Sequence, residues 1–148
     1  MIRAAVPADE APIRACAVAA YSRYIPLIGR EPAPMLADYA AQIAAQIVWI
    51  AEGPAGEFQG FITFYPQGEA MLLENVAVVP EASGRGIGKA LIAFCEAQAR
   101  SLGLAAVDLY TNEKMVENLS IYPRLGYHET ARREEDGFSR VYFRKPLL

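Results

Sequence analysis

The sequence is short of the residues on which several protein classes depend. It has two cysteines, Cys16 and Cys95, and one histidine, His128, in 148 residues. One cysteine pair is too few for the disulfide framework of a small secreted scaffold, so a reducing cytoplasm is the simpler setting. Two thiols and one imidazole at these positions also lack zinc-ligand spacing, and no metal is expected. No run approaches the roughly 18–20 apolar residues that span a bilayer. Pro7, Asp9 and Glu10 interrupt the amino-terminal stretch before it could read as a signal peptide. No membrane partner is expected. Positive charge is not in excess either, with 14 Lys+Arg against 17 Asp+Glu and a formal charge of −3. Nucleic-acid binders neutralise phosphates with surplus cations, so no nucleic-acid partner is expected. Repeats, low-complexity tracts and linker-like runs are missing too, and residues 1–148 read as a single domain.

What is present is a 53% hydrophobic content, enough to build a core, arranged in changing periods. Residues 2–5 read as a short strand, and Asp9 as the cap of a helix running to about residue 22. Ile13, Cys16, Ala17 and Ala20 share one face of that helix. Proline and glycine make residues 24–34 irregular, and a second helix is expected over 35–45. Strands follow at 47–52 and 58–65 around a turn at 53–56, and a longer one at 70–79 after Pro66-Gln67-Gly68. Ile87, Leu91, Phe94, Cys95 and Gln98 recur at helical spacing, up to Gly103. Residues 106–110 read as a strand, and Met115, Leu119 and Tyr122 as the stripe of a short helix stopped by Gly126. A hairpin of 127–133 and 138–144 closes the chain around Glu135-Asp136-Gly137. The sum is an α/β (α+β) chain with a mixed sheet flanked by about four helices.

The segment from Val76 to Lys89 is the most informative. Gly84, Gly86 and Gly88 permit positive φ and close approach. A helix start supplies unpaired amide donors and the positive end of its dipole, which suits phosphate oxygens. Arg85 and Lys89 add charge at the rim. Taken alone, a glycine triplet serves equally well as a surface turn. Two familiar phosphate loops fail here. A Walker A loop needs a glycine where Ser83 stands and a hydroxyl where Ala90 stands, and a dinucleotide fingerprint needs a glycine where Lys89 stands.

Val76 to Lys89, with the helix that follows, resembles the acyl-coenzyme A binding motif of the GNAT N-acetyltransferase superfamily. Gly86 and Gly88 match that pattern, while Ser83 replaces its usual Arg or Gln. Asn118-Leu119-Ser120-Ile121-Tyr122-Pro123-Arg124-Leu125-Gly126-Tyr127 resembles the later family motif, in which a Tyr precedes a helix end and Gly-Phe or Gly-Tyr. The resemblance covers most of the chain and implies a mixed, mostly antiparallel sheet of about six or seven strands. The stretch from Tyr21 to Ala45 is where such proteins diverge and where acceptor choice usually lies.

The activity so implied is transfer of acetyl from acetyl-CoA to an amine of a small molecule or peptide, directly within a ternary complex. A lysine-like amine titrates near ~10.4, so it must lose a proton before attack, and the thiolate must gain one. By the resemblance, main-chain groups at Val76, Ala77 and Val78 pair with the pantetheine arm. The turn Ser83, Gly84, Arg85, Gly86, Ile87, Gly88 and Lys89 holds the pyrophosphate. Tyr122 matches the tyrosine proposed to protonate the departing thiolate, although on its stripe it also reads as core. Glu74, sharing the alternation of Leu72, Val76 and Val78, is the candidate base if partial burial raises its pKa. A sheet-edge carboxylate paired with an arginine is the equal alternative, and by the resemblance a water chain can serve in place of the base.

Asn112 and Asn118 either cap the last helix or bond the pantetheine amides. The family's asparagine, seven residues before the tyrosine, would fall on Met115. His128 reads as an ordinary strand residue, since no nucleophile elbow accompanies it. Arg132, Arg133, Arg140 and Arg144 read as a solvated face, or one of them as a contact to an anionic acceptor or to the coenzyme's adenosine phosphate. Trp49, Tyr21, Tyr24 and Tyr39 read as core, or as pocket walls. A binding module that senses acyl-CoA without turnover is the competing expectation, and a homodimer is left open.

Overall fold

Burial of Ile13, Cys16 and Ala17 on one side of α1 (Glu10–Tyr21) sets the amino-terminal architecture in the computed structural model, which describes residues 1–147. Asp9 does not cap α1 through its side chain. Its carboxylate accepts the Val6 N–H at 2.8 Å, and two N–H groups of Arg3 at 2.7 and 2.9 Å, so it closes the 3₁₀ turn Pro7–Asp9 instead. The helix expected over residues 35–45 is also shorter. A 3₁₀ turn occupies Ala33–Met35, and α3 (Tyr39–Ala44) starts only after Asp38, whose carboxylate accepts the Ala41 N–H at 3.1 Å. Between α1 and this turn lies α2 (Ile25–Ile28), a single turn ended by Gly29 in the left-handed region.

The strands are β1 (Ile2–Ala4), β2 (Val48–Glu52), β3 (Phe58–Gln67), β4 (Ala70–Val78), β5 (Ala106–Asn112), β6 (His128–Glu135) and β7 (Phe138–Pro146). Among the described residues they form one sheet in the order β1-β2-β3-β4-β5-β7-β6. The β1–β2, β2–β3, β5–β7 and β6–β7 pairs are antiparallel, and β4–β5 is parallel. This is the mixed, mostly antiparallel sheet expected. A parallel neighbour needs a crossover, supplied here by α4 (Ile87–Ser101). Another helix, α5 (Val116–Arg124), joins β5 to β6, and Gly126 beyond it takes φ +96°.

The chain forms two compact units, one of Met1–Phe64 with Asn75–Phe94, the other of Tyr65–Glu74 with Cys95–Leu148. β3, β4 and α4 each contribute to both. In the first unit α1 and α3 cover one sheet face, burying Ile13, Cys16, Tyr39, Ile43, Val48, Ile50 and Phe61 together. On the opposite face Trp49, Phe64 and Phe94 cluster, with ring centroids 4.9–6.3 Å apart. In the second unit Val107, Leu109, Val141 and Phe143 are buried, alternating with half-buried Asp108, Tyr110, Tyr142 and Arg144. That period-2 pattern marks one packed face and one wetter face.

Candidate functional site

β4 gives each of its faces a distinct character. Met71, Leu73, Asn75 and Ala77 are buried, while Leu72, Glu74, Val76 and Val78 are half-buried, so the expected grouping of Glu74 with these three residues holds without a bulge. Its ladder with β5 runs from Ala70↔Ala106 to Leu73↔Leu109, yet the strand continues to Val78. Beyond Leu73, β4 therefore presents that edge without a ladder partner from β5 among the described residues.

At the far end of β4 a 3₁₀ turn, Pro80–Ala82, buries Ala82 and leads into exposed Ser83, Gly84, Arg85 and Gly86. Gly84 and Gly86 adopt φ +77° and +78°, which L side chains rarely tolerate. The first hydrogen bond of α4 runs from the Ala90 N–H to the Gly86 carbonyl at 3.0 Å. The amides of Ile87, Gly88 and Lys89 thus precede every carbonyl that the helix could offer them. Gly88 lies at ordinary contact distance from Val78, a Cβ there being 3.5 Å from Val78 Cγ2. The result is an exposed turn with amide donors and the positive end of a four-turn helix, flanked by the exposed side chains of Arg85 and Lys89.

Two residues unremarked by sequence patterning shape this end of β4. A Cβ on Gly60 would sit 2.6 Å from the Ala77 carbonyl oxygen, so only glycine lets β3 approach so closely. Asn75 is 6% exposed and sits in a hydrogen-bonded chain. The Tyr21 hydroxyl donates to Asn75 Oδ1 at 2.6 Å and lies 3.1 Å from the Val76 carbonyl, while Asn75 Nδ2 donates to the Tyr39 hydroxyl at 2.9 Å. Tyr21 and Tyr39, open between core and pocket from sequence, are thereby ties between helices and strand. Tyr24 is buried at 5% exposure, and Trp49 belongs to the aromatic cluster.

In the second unit Tyr122 lies on α5 with its ring between those of Tyr127 and Phe143, centroids 5.8 and 5.9 Å away. Burial pushes its phenol up to about 12, so it is protonated at neutral pH. Among the described residues no buried side-chain oxygen lacks a partner. Behind the Tyr122 ring, Tyr127 donates to Glu96 Oε2 at 2.9 Å and Lys145 to Glu96 Oε1 at 3.0 Å, which fixes the ring against which Tyr122 packs.

Asn118 Nδ2 donates to Thr111 Oγ1 at 3.0 Å, tying α5 to the end of β5. Asn112 Oδ1 accepts the Lys114 N–H at 3.0 Å, closing the turn before the helix, whose N-cap position is held by Met115. Glu74 accepts from the Tyr65 hydroxyl at 3.3 Å. Burial, followed by the Glu74 charge, raises the Tyr65 phenol above its usual range. His128 is exposed at the start of β6, as expected of a strand residue.

The closing hairpin departs from a uniformly solvated face. Arg132 is exposed and paired with Glu129, but Arg140 lies 4.5 Å over the Tyr110 ring, and Arg144 grips Asp108 at 2.7 and 2.9 Å. Both thiols are buried, and burial pushes each up to about 12. Neither is activated as a nucleophile.

A sequence model of the acetyltransferase (GNAT) domain family matches residues 44–129, which take in the glycine turn and Tyr122. Mycothiol acetyltransferase of Pseudarthrobacter chlorophenolicus is 46% identical over 52 residues, 35% of this chain. The match spans only 16% of that protein. A GNAT-family acetyltransferase structure from Desulfovibrio desulfuricans superposes with a TM-score of 0.80 at 18% identity, covering 100% of this chain and 99% of that one. The PaiA N-acetyltransferase of Thermoplasma acidophilum, solved with coenzyme A, gives 0.79 at 18% identity, covering 99% and 98%. At such identities the likeness establishes a shared fold. No helix among the described residues is long and apolar enough to cross a membrane.

Proposed function

The chain belongs to the acetyltransferase (GNAT) domain family, and on that premise we propose that it moves acetyl from acetyl-CoA to an amine by direct transfer, in a reducing cytoplasm and with one domain carrying the activity. The observation that carries this reading is the glycine turn. Left-handed Gly84 and Gly86 open α4 directly after a strand that outruns its parallel neighbour. The residues present suit the coenzyme. Ser83 to Lys89 offer main-chain donors and two cations to a diphosphate, and the β4 edge from Val76 to Val78 offers main-chain groups to an amide-bearing arm. Asn112 and Asn118 contribute by holding the β5–α5 turn, and in this reading they bond the amides of that arm.

In this reading each proton has a carrier. Glu74 takes one from the acceptor ammonium, the freed amine forms the new C–N bond at the thioester carbon, and the C–S bond breaks. Tyr122 gives its phenolic proton to the sulfur. A phenol that stays neutral at pH 7 suits that donation. Main-chain amides beside the carbonyl oxygen stabilise the charge that develops there. No cysteine is required, in keeping with two buried, protonated thiols.

The first test is stabilisation by the coenzyme. Acetyl-CoA at a hundred times its Kd should add about 2.7 kcal/mol, a rise in Tm of roughly 5–10 °C for a chain of this size. No rise would sink the reading. Thiol release with a panel of amines then separates an enzyme from a sensor, because a sensor is stabilised without turnover.

A further inference from the structure

We propose that Asn75 is a positioning residue for coenzyme binding: it draws the Tyr21 proton away from the Val76 carbonyl, which so stays open to an N–H of the coenzyme's amide-bearing arm. The inference rests on the acetyl-transfer reading and adds to it a residue that touches no ligand.

Alternation along β4 puts the Val76 carbonyl on the edge in question. The Val79 N–H donates to the Gln59 carbonyl on β3 at 3.0 Å, so Val79 and Ala77 turn their main-chain groups to β3, and Val76 and Val78 turn theirs to the opposite edge. Beyond Leu73 that edge has no ladder partner from β5 among the described residues. An N–H of a bound ligand can pair there. The Tyr21 hydroxyl, 3.1 Å from the Val76 carbonyl, is a competitor supplied by the chain itself.

Which acceptor that hydroxyl serves follows from counting protons. The Pro34 carbonyl can only accept, so the Tyr39 hydroxyl gives it its one proton. The Tyr39 oxygen must then accept from its other neighbour, and Asn75 Nδ2 donates to it at 2.9 Å. With its nitrogen committed to Tyr39, the Asn75 amide turns Oδ1 toward Tyr21, where it accepts at 2.6 Å. The shorter contact takes the proton. Turning the amide over would set Oδ1 against the Tyr39 oxygen, acceptor against acceptor, and would release the Tyr21 proton to the Val76 carbonyl. Tyr39 resists any such exchange, being fully buried with its ring edge-on to Phe61 at 5.5 Å. Pro34 and Tyr39 therefore hold Asn75 in the orientation that keeps this carbonyl receptive.

The test is isothermal titration with acetyl-CoA and with ADP, which carries a diphosphate but no such arm. Asn75→Leu frees the Tyr21 proton for the Val76 carbonyl. The Kd for acetyl-CoA should rise about three- to tenfold, the worth of one competing hydrogen bond, while that for ADP holds within about twofold. Adding Tyr21→Phe removes the competitor and should return the acetyl-CoA Kd to within about twofold of the parent's, although two polar partners are then lost. A residue that merely held the fold together would give the opposite, a double variant worse than the single one. Tyr21→Phe alone should bind acetyl-CoA as tightly as the parent, or up to about threefold more tightly, with a lower Tm because Asn75 Oδ1 loses its donor. Asn75→Ala, with and without Tyr21→Phe, repeats the comparison with no added bulk and replaces the leucine pair if that does not fold. An acetyl-CoA Kd unchanged in the Asn75 variants, an equal loss for ADP, or a double variant that binds no better than the single one would overturn the assignment. Failure of the parent protein to bind acetyl-CoA would instead sink the acetyl-transfer reading.

Discussion

Replacing Gly60 by alanine probes the end of β4 proposed to face the coenzyme, without touching any charged or aromatic group. The new Cβ would lie 2.6 Å from the Ala77 carbonyl oxygen, 3.2 Å from Val78 Cα and 3.4 Å from Val78 Cγ2. Two of these contacts are to backbone, which has no rotamer into which to retreat. The strand must yield by about 0.4 Å to clear a 3.0 Å limit. Overpacking of this kind costs about 1–3 kcal/mol. Against it stands the loss of unfolded-state freedom on removing a glycine, about 0.4–1 kcal/mol in favour of the variant. The net runs from roughly zero to a loss of about 2.6 kcal/mol, the midpoint of about 1.3 kcal/mol lowering Tm by about 3–5 °C. Because the displaced atoms belong to Ala77 and Val78, affinity for acetyl-CoA should weaken severalfold, as expected for about one strained hydrogen bond. Gly88→Ala is the control. Its Cβ meets only Val78 Cγ2 at 3.5 Å, and alanine is the better helix former, so stability should hold or rise. Calorimetry and isothermal titration read both quantities. A Gly60→Ala protein as stable as its parent, binding acetyl-CoA equally well, would refute the close approach of β3 and β4.

Three further outcomes follow from the second unit. Lys145→Met leaves the buried Glu96 carboxylate with the Tyr127 hydroxyl alone, and should cost roughly 3 kcal/mol in urea melts, partly restored by adding Glu96→Gln. A loss under about 0.5 kcal/mol would contradict that ion pair. Tyr122→Phe should lower kcat by about a hundredfold or more with acetyl-CoA affinity unchanged, and the opposite split would remove the acid role. Burial also holds the Tyr122 phenol protonated up to about 12, against 10 in an open chain. Its contribution to stability is therefore complete below pH 10 and is lost as pH climbs through 12. At about pH 11 the loss is about 1.4 kcal/mol, and Tyr122→Phe should flatten the decline by that amount. Identical alkaline profiles would show that the ring is not buried.

Periodicity was a good guide wherever a residue's neighbour along its own element decides its burial. The alternation through Glu74 and Val78 and the α1 stripe are of this kind. Where a local side chain competes with the backbone, it failed. Asp38 delays α3, and Asp9 serves the turn before α1 rather than the helix. The glycine turn was legible because positive φ is written in the residue type itself. Gly60, Asn75 and Arg140 were not, since their importance lies in atoms brought near by the sheet register, and no spacing within one strand encodes that. A buried Asn inside an apolar strand was the available signal, since such a group demands partners.

The parallel pairing of β4 with β5 also bears on how the chain reaches its native state. Ala70 meets Ala106 only after α4 and the glycine turn have carried the chain back along the sheet. Hairpins such as β6–β7 close over a few residues and should form early, while this return closes a long loop and comes late. The backbone freedom that Gly84 and Gly86 confer is therefore spent twice, once in shaping a turn and once in the search that precedes it. Stiffening substitutions there should alter the refolding rate of the empty protein, in a stopped-flow experiment with no ligand present.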